Sequence, residues 1–230
     1  MSQHRDRGPI TRERLRQLPA RRLHSGPYYK PDIFLCEVNG EKVILKDYRG
    51  KPWFWRLLVG RFSIRQEAQA LRVLEGVEGV PALRGRPDAD SLAMTHVGTR
   101  RPTLPDPLIR DNLAFYRDLE RIVHEMHGRG IVHFDLKHRS NLLVTDDRRP
   151  AVIDFASAFH FRQGWFMGRF LLALFKPIDL LALQHWKKRL CPGALSKADH
   201  RAARTRAVAR KFWWPRWVLD RVHALFARDD

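Results

Sequence analysis

Short apolar runs and longer periodic ones divide the chain into recognisable elements. Ile33-Phe34-Leu35-Cys36-Glu37-Val38 and Val43-Ile44-Leu45-Lys46 flank Asn39-Gly40. They predict two strands joined by a two-residue turn, because Asn-Gly accepts the positive φ values of a type I′ hairpin. The period then lengthens. Ile64, Ala68 and Leu71 recur at i, i+4 and i+7, which predicts a helix, and Ser63 with Gln66 reads as the capping box at its start. Glu67 falls on the apolar side of that helix, whereas Arg65, Gln69 and Arg72 read as solvated. Gly79 to Leu83 resembles a turn into a strand, and Ser91 to Gly98 a further strand. Asp111 caps a helix whose apolar positions Phe115, Tyr116, Leu119, Ile122, Val123 and Met126 repeat at three and four, with Gly128 and Gly130 as its stop. Leu142-Leu143-Val144 and Ala151-Val152-Ile153 lie either side of Asp146-Asp147 and predict a second hairpin.

Composition adds a strong constraint. Within 230 residues, 43 Lys and Arg face 25 Asp and Glu, a formal net charge of +18. Such a field selects polyanionic partners: a nucleotide, and with it a phosphorylated lipid, an anionic membrane surface or RNA. A hydrophobic share of 44% is enough for one compact unit or two lobes sharing a cleft. Cys36 and Cys191 offer neither a disulfide framework nor metal-ligand spacing, which fits a reducing cytosol. The Arg-rich stretch from Arg5 to Arg22 has no apolar run behind it, so no secretory signal is expected. Phe161 to Leu183 is interrupted by Arg162, Arg169, Lys176 and Asp179 and is not expected to span a bilayer. Aromatic and basic residues interleave in Lys51–Arg61, Phe159–Phe175 and Lys211–Trp217. Such mixtures suit an interaction surface, while for the first stretch a short extra helix packed on the neighbouring strands is the other reading.

The candidate chemistry lies in His133-Phe134-Asp135-Leu136-Lys137-His138-Arg139-Ser140-Asn141, followed by Ile153-Asp154-Phe155. In-line phosphoryl transfer needs one carboxylate to orient a hydroxyl, a cation to neutralise the moving group, and oxygen ligands for Mg²⁺. These residues, with Lys46 at the end of a Val-Ile-Leu-Lys run, resemble the catalytic loop, the metal-binding Asp and the strand lysine of protein-kinase-like phosphotransferases. The chain is similar both to RIO-like kinases and to the small bacterial kinases that phosphorylate Kdo or heptose sugars of the lipopolysaccharide inner core.

The resemblance implies an α+β, two-lobed protein-kinase-like fold, with a small β-rich N-lobe carrying one αC-type helix and a mainly helical C-lobe. Residues 1–20 would be a basic flexible arm, 21–99 the nucleotide-binding N-lobe and 100–230 the C-lobe. It implies ATP and Mg²⁺ as cofactors. Asp135 would orient the acceptor hydroxyl, Lys137 would stabilise the transferred phosphoryl, and Asn141 and Asp154 would hold the metal. Lys46, paired with Glu67, would position ATP, so that loss of Lys46 should damage ATP use far more than folding. Gly26 would bring backbone to the phosphates, Met94 would sit at the back of the nucleotide pocket, and Thr95 and Val97 would offer backbone groups to adenine. Asp179 resembles the buried helix Asp that holds the catalytic-loop backbone. His133 is expected to bond local backbone, and His124, His127 and His138 to lie on a helix surface or loop.

Several departures qualify this. The loop carries one residue more between Leu136 and Asn141 than H-R-D-L-x-x-x-N. Phe134 replaces its Arg, Ala156 replaces the Gly of D-F-G, and the Gly-rich loop and the A-P-E motif are missing, so a phosphorylation switch is not expected. For the acceptor, Trp beside Arg and Lys favours an anionic, lipid-linked sugar of the lipopolysaccharide core, met by a cytoplasmic enzyme held peripherally on the inner face of the membrane. A RIO-like serine/threonine kinase docked on RNA or ribonucleoprotein is the alternative, and a nucleotide-binding scaffold without catalysis is a third reading.

Overall fold

Five antiparallel strands form the first lobe: β1 (Ala20–His24), β2 (Asp32–Val38), β3 (Glu41–Asp47), β4 (Leu83–Asp88) and β5 (Ser91–Thr95), in the spatial order β1-β2-β3-β5-β4. The structure is a computed structural model and describes residues 10–16, 18–98, 101–102, 109 and 111–195. Asn39 and Gly40 both take positive φ, 53° and 76°, so the β2–β3 turn has the backbone that Asn-Gly favours. Alternation along the strands feeds two apolar clusters. Cys36, Val38, Val43, Leu45 and Ala93 join Ile10 and Leu15 on one face, while Leu92 and Met94 join Ile64, Ala68 and Leu71 on the other.

The described part of the N-terminal arm, expected to be flexible or loosely docked, lies against the sheet. Its short helix α1 (Arg12–Arg16) buries Ile10 and Leu15 against the sheet, and Arg12 bonds Asp88, Asp47 and Ser91. Two apolar anchors and a guanidinium shared between carboxylates outweigh the basic composition that suggested a loose tail.

The helix after β3 starts eleven residues before the expected position. Pro52 caps it with ψ 143°, the chain turns through α2 (Trp53–Trp55) and a π-helical segment (Arg56–Gly60), and α3 (Arg61–Val73) follows without a break. Ser63 is therefore inside the helix, with its hydroxyl 3.5 Å from that of Tyr48, and the capping box is not used. Gly60 lets this run lie close to the sheet, since a Cβ there would sit 2.9 Å from the Tyr48 ring.

In the second lobe, Asp111 caps α4 (Asn112–Gly128) by accepting from the Leu113 and Ala114 N–H groups at 2.8 and 2.9 Å. Gly130, at φ 79°, ends the helix and turns the chain into β6 (Ile131–Val132). Two small hairpin-like sheets follow, β6 with β9 (Phe159–His160), and β7 (Leu142–Val144) with β8 (Pro150–Val152). The long α5 (Phe166–Leu190) packs Trp186 and Leu190 onto α4. One apolar cluster runs from Leu71 and Leu74 of the first lobe to Leu119, Met126, Val152 and Phe155 of the second. The two lobes thus share a core behind the cleft between them.

Candidate active site

A cleft of about 500 Å³ opens between the lobes. Strand register orders its roof. His24 pairs with Ile33 and Ile33 with Lys46, which places these three at one end, while Val43 pairs with Thr95 at the other. Lys46, Met94, Thr95, Val97 and Asp154 all line this cleft, so five of the expected site residues meet there.

Lys46 sits between two carboxylates. Its Nζ lies 2.8 Å from both oxygens of Glu67 and 2.7 Å from Oδ1 of Asp154. Glu67 comes from α3, where helical spacing turns it inward with Ile64 and Leu71 until it is only 1% exposed. It also accepts from the Phe155 N–H at 3.3 Å, which couples the helix to the segment after Asp154. Burial works against the Lys46 charge, but Asp154 and Glu67 outweigh it and hold the ammonium above the usual lysine range. The Lys46 cation in turn holds the Asp154 carboxyl below the ordinary carboxylate range, against the effect of burial.

The β7–β8 hairpin brings the second half of the site together. Leu142 pairs with Val152, and the Ile153 N–H donates to the Asn141 carbonyl at 2.9 Å, so Asn141 and Asp154 emerge side by side. Asp154 itself takes a left-handed conformation, φ 66° and ψ 67°, which turns its side chain back toward Lys46. Asn141 Nδ2 donates to the Asp135 carboxylate at 2.8 Å and to its carbonyl at 2.9 Å. The longer catalytic loop closes as two consecutive turns, His138 N–H to Asp135 carbonyl and Asn141 N–H to His138 carbonyl, which absorb the extra residue.

Asp179, fully buried on α5, holds the start of this loop. Its carboxylate accepts from the N–H groups of His133 and Phe134 at 2.8 and 3.1 Å, and lies 3.1 Å from the His127 ring. His127 is therefore a buried partner of Asp179, which corrects its reading as a surface residue. His133 Nε2 lies 3.1 Å from the Ile153 carbonyl, which can only accept, so that nitrogen carries the proton and Nδ1 accepts from the Asp135 N–H at 3.3 Å. Trp186 donates from Nε1 to the Leu136 carbonyl at 3.0 Å. Nothing in the sequence beyond an apolar helix position pointed to Trp186. Phe134, in the place of the Arg of the motif, packs with Phe161 and Phe175.

Two expected contributions do not match the geometry. The Gly26 N–H donates to Asp32 at 3.1 Å and its carbonyl accepts from Lys51 at 2.6 Å, so neither group is free for a phosphate. Gly26 is there because a Cβ would lie 2.6 Å from the Pro31 carbonyl, and the Lys51–Asp32 pair braces the β1–β2 loop in place of a Gly-rich sequence. The Thr95 N–H is bound to the Ala82 carbonyl at 2.9 Å, which leaves Val97 as the better donor toward a base. Lys137 is exposed and follows the loop two residues after the equally exposed Asp135. Arg21, His24 and Arg101, which the sequence did not single out, also line the cleft.

Among the described residues, no group of three or more His, Cys, Asp or Glu could bind a metal alone. One amide oxygen at Asn141 and the carboxylate of Asp154 instead fit Mg²⁺, which takes one or two protein carboxylates and completes its shell with water and phosphate oxygens. Only Oδ1 of Asp154 is engaged by Lys46.

Large apolar side chains are exposed on both lobes. Trp53 is 72% and Leu58 73% exposed on the α2–α3 run, and Trp165 is 67% and Phe166 79% exposed at the start of α5. Trp55 is instead half-buried beside Phe54 and Tyr29. Among the described residues, no helix is long and apolar enough to cross a membrane. The tail with Lys211–Trp217 lies outside the described residues, as does most of the expected linker from Arg100 to Pro107.

No protein-family model matches the chain, and no curated protein matches its sequence. Its structure is similar to that of the Rio2 kinase from Chaetomium thermophilum in an ADP/Mg²⁺-phosphoaspartate complex, with a TM-score of 0.55 and 16% identity over 82% of this chain and 61% of that one. A second structure of the Rio2 kinase from the same organism aligns with a TM-score of 0.53 and 14% identity, over 86% of this chain and 73% of that one.

Proposed function

Because the chain has a protein-kinase-like fold, we propose that it is an ATP- and Mg²⁺-dependent phosphotransferase whose acceptor is a hydroxyl of an anionic, lipid-linked sugar such as those of the lipopolysaccharide core. The observation that carries this is the convergence of Lys46, Glu67 and Asp154 on one side of the cleft with Asp135 and Asn141 beside them. Bound Mg·ATP supplies the phosphoryl group and the divalent charge that offsets repulsion among the phosphates. The residues do the rest. Lys46 grips the α and β phosphates, and Glu67 keeps its ammonium aimed. Asp154 and the Asn141 amide oxygen hold the metal. Asn141 Nδ2 occupies Oδ2 of Asp135, which leaves Oδ1 to orient the acceptor hydroxyl and take its proton. Lys137 neutralises the transferred group.

The exposed Trp53, Leu58, Trp165 and Phe166, set in a chain of net charge +18, support a protein that works while held against an anionic bilayer. The experiment is transfer of labelled γ-phosphate to lipopolysaccharide-core acceptors in vesicles. Asp135→Asn and Asp154→Ala should each reduce transfer by about 10²-fold or more with the fold intact. Undiminished transfer in either variant sinks the assignment. The second reading is a RIO-like serine/threonine kinase bound to RNA or ribonucleoprotein, supported by the likeness to the Rio2 structures and by the basic charge. Label on protein instead of lipid, together with salt-dependent RNA binding, would select it.

A further inference from the structure

We propose that the last turns of α5 and the catalytic loop form an anion subsite, in which Lys137, His185, Lys188 and Arg189 hold a phosphate or carboxylate group of the acceptor beside the hydroxyl presented to Asp135. This rests on the phosphotransferase reading above and specifies the chemistry of its acceptor.

The geometry begins with Trp186. Its ring is fully buried and its Nε1 donates to the Leu136 carbonyl at 3.0 Å, which pins α5 to the residue between Asp135 and Lys137. His185 precedes Trp186, and Lys188 and Arg189 follow His185 at i+3 and i+4, so all three share one stripe of the helix. Lys188 and Arg189 are exposed and His185 is half-buried. Burial lowers the His185 pKa below the usual histidine range, and the positive charges of Lys137, Arg189 and Lys188 lower it further.

From residue 155 to 195 the single acidic side chain is Asp179, which is buried and committed to the loop backbone. Some cations elsewhere are paired. Arg56 and Arg61 share Asp90, Arg149 is paired with Asp118 and Glu78, and Arg12 with Asp47 and Asp88. Among the described residues, Lys137, Lys188 and Arg189 have no ion pair. A helix C-terminus favours cations through its dipole, but that accounts neither for Lys137, on another element, nor for a half-buried imidazole kept among like charges. A dianionic or carboxylate-bearing acceptor relieves the repulsion as it binds, and it does so next to the carboxylate that receives the hydroxyl.

The test is an NMR titration of the His185 ring in the full chain, assigned with a His185→Gln variant, with and without inorganic phosphate and then with glucose 6-phosphate against glucose. Phosphate and the sugar phosphate should raise the His185 pKa, and glucose should not. A Lys188→Ala, Arg189→Ala double variant should lose the response while its Mg·ATP binding, followed by thermal shift, stays at the wild-type level. A His185 that ignores phosphate, or that responds equally in the double variant, overturns the subsite. If the wild type binds no Mg·ATP, the phosphotransferase reading fails, and the phosphate response still decides the subsite on its own.

Discussion

At Lys46 the structure changes what substitution should do. The sequence suggested that losing this lysine would harm ATP use far more than folding. Because its ammonium neutralises Glu67, which is 1% exposed, Lys46→Ala strands a buried carboxylate and should cost on the order of 3–5 kcal/mol in urea unfolding. Adding Glu67→Gln should restore part of that stability without restoring ATP binding. Asp179 carries a similar load, since two buried N–H groups of the catalytic loop depend on it. Asp179→Ala should cost about 1–3 kcal/mol for each stranded group and lower kcat with it. Acid should act first at paired carboxylates. Burial works against the Asp90 charge, but Arg56 and Arg61 outweigh it and hold the carboxyl below its ordinary range. A depressed native pKa contributes stability that is fully present above the unfolded value, about 3.9, and is lost as pH falls through the native one. Urea midpoints should therefore drop below about pH 4, and Asp90→Asn should flatten that drop.

Two helical elements carry apolar surface that the fold leaves open. On the α2–α3 run, Trp53, Leu58 and Phe62 are exposed, and on α5 Phe166, Met167 and Phe170, with Trp165 just before them. Gln69 of α3 lies 3.4 Å from the His160 ring of β9, the strand that precedes α5. Arg61, Arg65, Arg162 and Arg169 accompany these side chains along the sequence, the mixture expected of a surface that meets lipid headgroups. Wild-type protein should float with anionic vesicles. A Trp53→Ala, Leu58→Ala, Phe166→Ala variant should lose at least about tenfold in partitioning, since each large apolar side chain contributes roughly 1.5–3 kcal/mol when buried. Trp55 is a poor choice for such a test, because it is half-buried beside Phe54 and Tyr29. Equal flotation of the triple variant would remove the aromatic contribution.

For the whole molecule, lobes joined by one apolar cluster and facing each other across Lys46 and Asp154 should be stabilised by a ligand that touches both. Mg·ATP at a hundred times its Kd should add about 2.7 kcal/mol, seen as a higher Tm, and Asp154→Ala should abolish the Mg²⁺-dependent part. Net charge acts at the same scale. With +18 charges on the chain, vesicle binding should weaken as salt shortens the screening length from about 10 Å at 0.1 M to about 3 Å at 1 M, leaving the aromatic share behind.

Local patterns were enough to determine several elements and to single out the loop between β6 and β7. Asn39-Gly40 specifies its own turn because the needed φ values belong to those two residues, Asp111 caps α4 because its N-cap bonds reach only two and three residues ahead, and the inward side of Glu67 follows from helical period. The spacing of Asp135, Asn141 and Asp154 was legible for the same reason. Packing between distant segments decided the rest. Whether residues 10–16 dock depends on a sheet face and on Asp47 and Asp88, which no window around Arg12 contains. Ser63 looked like a cap until Pro52 and the approach of Gly60 to Tyr48 moved the helix start. The tasks of Gly26, His127 and Trp186 are set by Asp32, Asp179 and Leu136, whose positions relative to them exist only once the chain has folded.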